Sequence, residues 1–376
     1  MRQQRRIQYV DLFKSIGILL MVMGHVSYGV FFDHMIHGFH MPMFFWISGY
    51  LYNRVTNAQI SGKQYVLKKA KTLIIPYVSI GLILCLVYSL INGFDWQEFS
   101  HFFWDNSEGI KVVGAYWFLT ALFFCEIAYF LISRNMKNSI ARIVMICIIA
   151  LFGSLSRSVL PFRLPFSMEA VMVGLGLFGL GRLTRDFMEN NAQKHTSNVT
   201  SLLIEGGTSV LALVLIRLNG YVNMRTGNYG NILLFWISVT LMLTALLVIC
   251  KVLTRSFHLP EYLFSIGRDG IIYTCLNQTV IFALKWLVIR YNIPPIVSKP
   301  AVLLATMTIL WLCSRLIQST GLLVLIGKFE CTHNSEHIQC HGPRKMRIEC
   351  LGDNNVTRQR KGRPLLICLA NETSAW

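Results

Sequence analysis

Apolar runs close to the roughly twenty residues needed to cross a bilayer recur through the first 327 residues of the chain. They are read at 10–32, 36–53, 73–92, 114–132, 140–157, 165–182, 200–218, 231–252, 269–290 and 301–326. Hydrocarbon offers no partner to backbone N–H and C=O groups, so each run must satisfy its own by forming a helix. The expected fold is therefore an all-α polytopic membrane protein with about ten transmembrane helices. Composition agrees, with 54% hydrophobic and only 14% charged residues, where soluble domains carry about a quarter charged.

The net charge of +17 would suggest a nucleic-acid partner in a soluble protein. Here the basic residues fall between the apolar runs, so topology accounts for them and no nucleic-acid partner is expected. The N-terminal segment and every second loop hold 17 Lys and Arg, including Arg2, Arg5, Arg6, Lys137 and Lys194, whereas the alternate side holds 8, including Lys111. That excess places the N-terminus in the cytoplasm, and ten spans return the C-terminus there. The opening "RQQRR" is not read as a removable signal, because the following run contains charges and leads into another apolar run.

Cys85, Cys125, Cys147, Cys250, Cys275 and Cys313 lie within apolar runs and act as small hydrophobes rather than a disulfide framework. Residues 1–327 read as one membrane domain and 328–376 as a tail of different composition, without a spanning run. Cys331, His333, His337, Cys340 and His341 are suitable zinc ligands by type. Their spacing fits no zinc pattern, so no metal is expected and the tail reads as a poorly ordered extension.

The first run carries polar groups that hydrocarbon penalises. Asp11, Lys14, Ile18, Met21 and His25 are spaced three, four, three and four residues apart, which puts them along one helical face. Lys14 and His25 differ by only about 20° around the axis and about 16 Å along it. With the N-terminus cytoplasmic, Lys14 lies near the inner surface. A long anionic donor entering there would present its far end to the imidazole. Lys14 snorkelling to the interface, Asp11 pairing with Lys14, and a satisfied buried His25 are the structural alternatives. The second run, "FHMPMFFWISGYLYN", opens on His40 and Pro42 and carries Ser48 and Gly49, small enough for close approach by a helix or ligand.

Together, "VDLFKSIGILLMVMGHVS" and "FHMPMFFWISGYLYN" resemble the opening of the membrane-bound acyltransferase-3 family, particularly its fucose 4-O-acetylase-like branch. The family's basic residue preceding an essential histidine matches Lys14 and His25. "LKKAKTLIIPY" resembles its basic loop, with lysines where arginines are more usual, and "YWFLTALFFCEIAYF" its WFL…E segment through Trp117 and Glu126. "LPFSMEA" is similar to its LPWSID stretch, with Glu169 at the acidic position. Many relatives place a histidine where this chain has Asn277, and the tail has no counterpart.

The resemblance implies an integral inner-membrane O-acyltransferase. It would move an acyl group, acetyl by resemblance, from cytoplasmic acyl-CoA as co-substrate to a sugar hydroxyl of a cell-surface polysaccharide or its lipid-linked precursor. His25 would be the general base, since an imidazole with a pKa near 6.5 is neutral and able to accept a proton. Asp11 would orient Lys14 or a loop. Lys14, Lys68, Lys69 and Lys71 would hold CoA phosphates, although positive-inside topology equally demands the last three. His40, Ser48, Trp117, Glu126 and Glu169 would line the substrate path. A secondary transporter of an anionic metabolite or lipid-linked sugar is the alternative, disfavoured by the absence of a visible repeat. A catalytically inactive relative is a third reading.

Overall fold

The computed structural model describes residues 7–104, 113–190, 197–328, 331–334 and 337–340. Arg2, Arg5, Arg6, Lys111 and Lys194 of the charge count, and His341 with the rest of 341–376, lie outside the described residues.

Helix α1 (Gln8–Val26) is the central element, packed against helices from both halves of the chain. The run that follows is divided. α2 (Val30–His37) ends at Gly38, and α3 (His40–Leu51) starts after a bend at Phe39. Pro42 explains the break, because it cannot donate to the carbonyl of residue 38 and its ring would crowd that carbonyl. α3 runs antiparallel to α1. The Tyr9 and Tyr50 hydroxyls meet at 3.0 Å, Gly17 faces Phe44, and Gly24 faces His37 at the other end.

α4 (Arg54–Ala58) and α5 (Gly62–Lys69) follow, the latter opened by a capping box between Ser61 and Gln64. A π-helical turn over Ala70–Ile74 joins α5 to α6 (Ile75–Asn92). Pro76 again supplies the reason, since its missing N–H interrupts the regular ladder at this point. α7 (Trp96–Phe103) folds back so that Phe102 stacks on Tyr77 at 4.5 Å.

α8 (Trp117–Asn135) returns to the end of the bundle where Arg134 reaches the Ile60 carbonyl. α9 (Ser139–Val159), capped by Asn138, pairs with α10 (Met168–Asn190). α3 and α10 are in close contact. A Cβ on Gly49 would strike the Phe178 backbone, and one on Gly181 the Trp46 backbone. Two reciprocal glycines thus bring the helices to main-chain distance, as small residues do between membrane helices.

α11 (Asn198–Asn219) and α12 (Ile232–Ser256) form a hairpin whose loop, 220–231, is pinned by Asn219. Its amide donates to the Tyr229 carbonyl at 2.9 Å and its Oδ1 accepts from Asn231 at 2.7 Å. α13 (Glu261–Arg268) crosses the start of α1, where Ser15 donates to the Leu263 carbonyl. α14 (Gly270–Arg290) and α15 (Pro295–Ser319) complete the bundle.

Nine helical stretches among the described residues are long and apolar enough to cross a membrane. The chain is an all-α, multi-pass membrane protein. The expectation of about ten spans differs at 36–53, because α3 alone is about 18 Å long, short of the roughly 30 Å hydrocarbon core. Only α2 and α3 together parallel the length of α1. In the tail, Cys331–Asn334 pairs antiparallel with His337–Cys340. No cluster of three or more His, Cys, Asp or Glu suited to a metal occurs among the described residues.

Candidate functional site

His25 lies in the last turn of α1, at the end opposite the Tyr9–Tyr50 contact. Three connections meet it there: residues 113–116 before α8, the α11–α12 loop, and the α2–α3 bend. The imidazole is partly buried. Its Nδ1 stands 3.3 Å from Nε2 of Gln278 on α14. Oε1 of the same carboxamide accepts the backbone N–H of Ala115 at 3.1 Å. Two turns further along α14, Lys285 donates to the His25 carbonyl at 2.9 Å, which ties the end of α1 to α14.

Two further imidazoles approach from the α2–α3 bend. His37 Nδ1 lies 2.7 Å from the Asp33 carbonyl, and His40 Nδ1 lies 2.8 Å from the Ile36 carbonyl. A carbonyl only accepts, so Nδ1 carries a proton on both rings. Their centroids are 5.0 Å apart, edge to face, and His37 also lies 5.4 Å from Tyr221. Tyr221 belongs to the α11–α12 loop. Burial holds its phenol above the ordinary value, so it stays a neutral hydroxyl beside the imidazoles.

Arg225 comes from the same loop. Its Nη1 would lie 3.3 Å from a Cβ on Gly114, and Gln278 Oε1 would lie 3.1 Å from it. The missing side chain at Gly114 is what lets the guanidinium and the carboxamide converge. Behind Arg225 stands a brace. Arg163 donates to the Arg225 carbonyl at 2.6 Å and to the Thr226 carbonyl at 2.7 Å. Glu169, in the first turn of α10, faces Arg163 Nε at 3.7 Å and accepts the Leu164 N–H at 2.9 Å. Glu169, expected on the substrate path, thus faces Arg163, which in turn holds the loop carbonyls.

At the opposite end of the bundle, Lys69 pairs with Glu126, and Tyr65 donates to the same carboxylate at 3.1 Å. Lys68 and Lys69 end α5, and Lys71 lies in the π turn that follows. Lys69 points inward and is buried, Lys68 is partly buried, and Lys71 is exposed. Lys14 is buried on α1, and Asp11 is partly buried one turn before it. Between the two ends, the buried side chains are mostly apolar, with a few polar groups among them. Trp117 is buried at the start of α8 beside Phe118. Ser48 Oγ on α3 and Thr274 Oγ1 on α14 have no hydrogen-bond partner among the described residues. Thr274 lies one turn from Gln278 on the same face of α14.

Asn277 likewise keeps a buried Oδ1 without a hydrogen-bond partner among the described residues. Its amide donates to the Tyr273 and Thr274 carbonyls of its own helix, at 2.9 and 2.8 Å. The polar side chain that α14 delivers to His25 is its neighbour Gln278. Sequence reasoning also passed over His37, Arg225 and Lys285. A signal existed for His37, since His34, His37 and His40 recur every three residues around the bend.

The fold and these groups define a class: a multi-pass membrane protein with an imidazole site at one end and buried lysines at the other. The family model for an acyltransferase domain, that of the acyltransferase-3 family, matches residues 7–315, and the chain belongs to that family. No curated protein and no solved structure matches it. It is a membrane acyltransferase, an enzyme that transfers acyl groups.

Proposed function

We propose that the protein transfers an acyl group, most simply acetyl, from cytoplasmic acyl-CoA to a sugar hydroxyl of a cell-surface polysaccharide or its lipid-linked precursor. The fucose 4-O-acetylase-like branch is the part of the family its opening helices resemble, and the bacterial inner membrane is the location this implies. One observation supports the reading above the others. The face of α1 carries a buried lysine near one end and the imidazole in its last turn at the other, so a donor and an acceptor can approach His25 from opposite sides of the bilayer.

Lys14, Lys68 and Lys71 attract the CoA phosphates at the cytoplasmic end, with Asp11 beside Lys14 and the Lys69–Glu126 pair bracing the wall. The pantetheine arm then runs along the stripe past Ile18 and Met21, where Ser48, Thr274 and Trp117 give it polar and aromatic contacts. The sugar enters from the far end, between the α2–α3 bend and the loop bearing Arg225. There its hydroxyl gives a proton to His25 as its oxygen attacks the thioester carbonyl, the carbon–sulfur bond breaks, and the proton passes on to the departing thiolate. General-base help of this kind is worth about 10²–10⁴ in rate. His40 stands on the acceptor side.

The test is acyl transfer by protein reconstituted in nanodiscs, with isotopically labelled acetyl-CoA and extracted surface glycans read by mass spectrometry. Wild type adds the labelled acyl mass and His25→Ala does not. Modification that persists in His25→Ala, or solute flux through the protein in liposomes without acyl-CoA, overturns the reading.

A further inference from the structure

We propose that Gln278 is a positioning residue that fixes the neutral His25 ring with its proton on Nε2, so that Nδ1 is the nitrogen that receives the acceptor's proton. The proposal rests on the acyl-transfer reading for its kinetic consequence, but its structural half stands on hydrogen-bond chemistry alone.

Carboxamide oxygen and nitrogen are normally assigned by their surroundings, and here the surroundings decide. The backbone N–H of Ala115 can only donate, so the Gln278 atom it meets at 3.1 Å is the oxygen. The other end of the carboxamide is therefore the NH₂ group, a donor, and it faces His25 Nδ1 at 3.3 Å. A donor facing Nδ1 requires a lone pair there. The single proton of the neutral ring then sits on Nε2. No carboxylate is hydrogen-bonded to either nitrogen of His25 among the described residues. The charged and titratable groups around the ring are His37 from α2, His40 from α3, Arg225 from the α11–α12 loop and Lys285 from α14. Arg225 and Lys285 only donate, so neither would hold a proton on Nδ1.

This is opposite to the arrangement at His37 and His40, whose Nδ1 protons are committed to carbonyls. It is also opposite to catalytic triads, in which a carboxylate holds the proton on Nδ1 and Nε2 is the base. The consequence is positional. The acceptor hydroxyl must reach Nδ1, on the side of Gln278, Ala115 and Arg225, where it takes over the hydrogen bond that the carboxamide makes in the resting site. Its O–H proton passes to Nδ1 as its oxygen bonds to the thioester carbon. The resulting imidazolium, with N–H on both nitrogens, returns the Nδ1 proton to the thiolate of CoA.

Two measurements test this. In the first, wild-type protein labelled with ¹⁵N-histidine is studied by NMR in nanodiscs at a pH where the ring is neutral, with the His25 signal assigned by its loss in His25→Gln. The expected pattern is a protonated Nε2 and a bare Nδ1; the reverse pattern overturns the proposal whatever the activity. In the second, Gln278→Glu offers Nδ1 an acceptor in place of a donor. The expected result is a kcat reduced by about 10² with an unchanged KM for acyl-CoA, and a His25 signal moved toward Nδ1–H. Gln278→Asn controls for packing. A Gln278→Glu enzyme with wild-type or higher kcat shows that Nε2 is the base and sinks the inference, leaving His25 itself as the proposed catalytic residue. Loss of the acyl-transfer reading, by contrast, would come from an active His25→Ala.

Discussion

Replacing Glu126 with a glutamine leaves the Lys69 ammonium without its counter-charge in a site where its side chain is only 11% exposed and that of Glu126 only 2%. At an effective dielectric constant of about 20, two unit charges in contact attract by about 4 kcal/mol. Desolvating both ions offsets much of that, so the intact pair adds little to stability. Breaking it from one side is different, because the remaining charge stays desolvated and unpaired, at about 3–5 kcal/mol. Glu126→Gln and Lys69→Met are therefore each expected to destabilise the protein by about that amount. The double variant removes both charges, and the carboxamide introduced by Glu126→Gln still accepts from Tyr65, so it should lie within about 2 kcal/mol of wild type. SDS-titrated unfolding in mixed micelles, followed by tryptophan fluorescence, gives the four stabilities of the cycle. A coupling energy of at least about 2 kcal/mol is expected; additivity within about 0.5 kcal/mol refutes the argument. The same four proteins separate two roles for Lys69. As a brace, it leaves the KM for acyl-CoA within about threefold in the double variant, whereas a direct phosphate contact raises KM even where stability is restored.

Three further outcomes follow from the packing. Arg163→Ala frees the loop that presents Arg225, and a fall in kcat with little change in donor KM is expected in steady-state assays; an unchanged kcat separates that loop from the chemistry. Gly181→Leu forces α10 away from the Trp46 backbone, and a loss of about 1–3 kcal/mol is expected for such overpacking in SDS unfolding. Thr274→Val removes a buried hydroxyl that lacks a partner among the described residues, so the free protein should gain about 1 kcal/mol, while the KM for acyl-CoA rises if that hydroxyl meets the pantetheine arm.

Much of this protein is local in origin and can be read along the chain. Hydrocarbon forces each apolar run to satisfy its own backbone, so length and hydropathy alone define a helical membrane protein. Helical periodicity alone likewise sets Lys14 and His25 on one face of α1. Pro42 and Pro76 mark in advance where the regular ladder breaks, although not that one break divides a span and the other becomes a π turn. What periodicity leaves open is which helix a given face meets, and at what height. Gln278 reaches His25 across 253 residues of sequence, at a register set by the contacts of α1 with α3, α13 and α14. Lys69, at the end of α5, meets Glu126 of α8 while Lys71, in the π turn, stays outside, a division that three near-identical lysines do not announce. Glu169 reads as one more intramembrane carboxylate until the fold puts Arg163 between it and the Arg225 loop. Each of these depends on contacts between distant segments, whose energy belongs to neither segment alone, and so only the tertiary structure decides them.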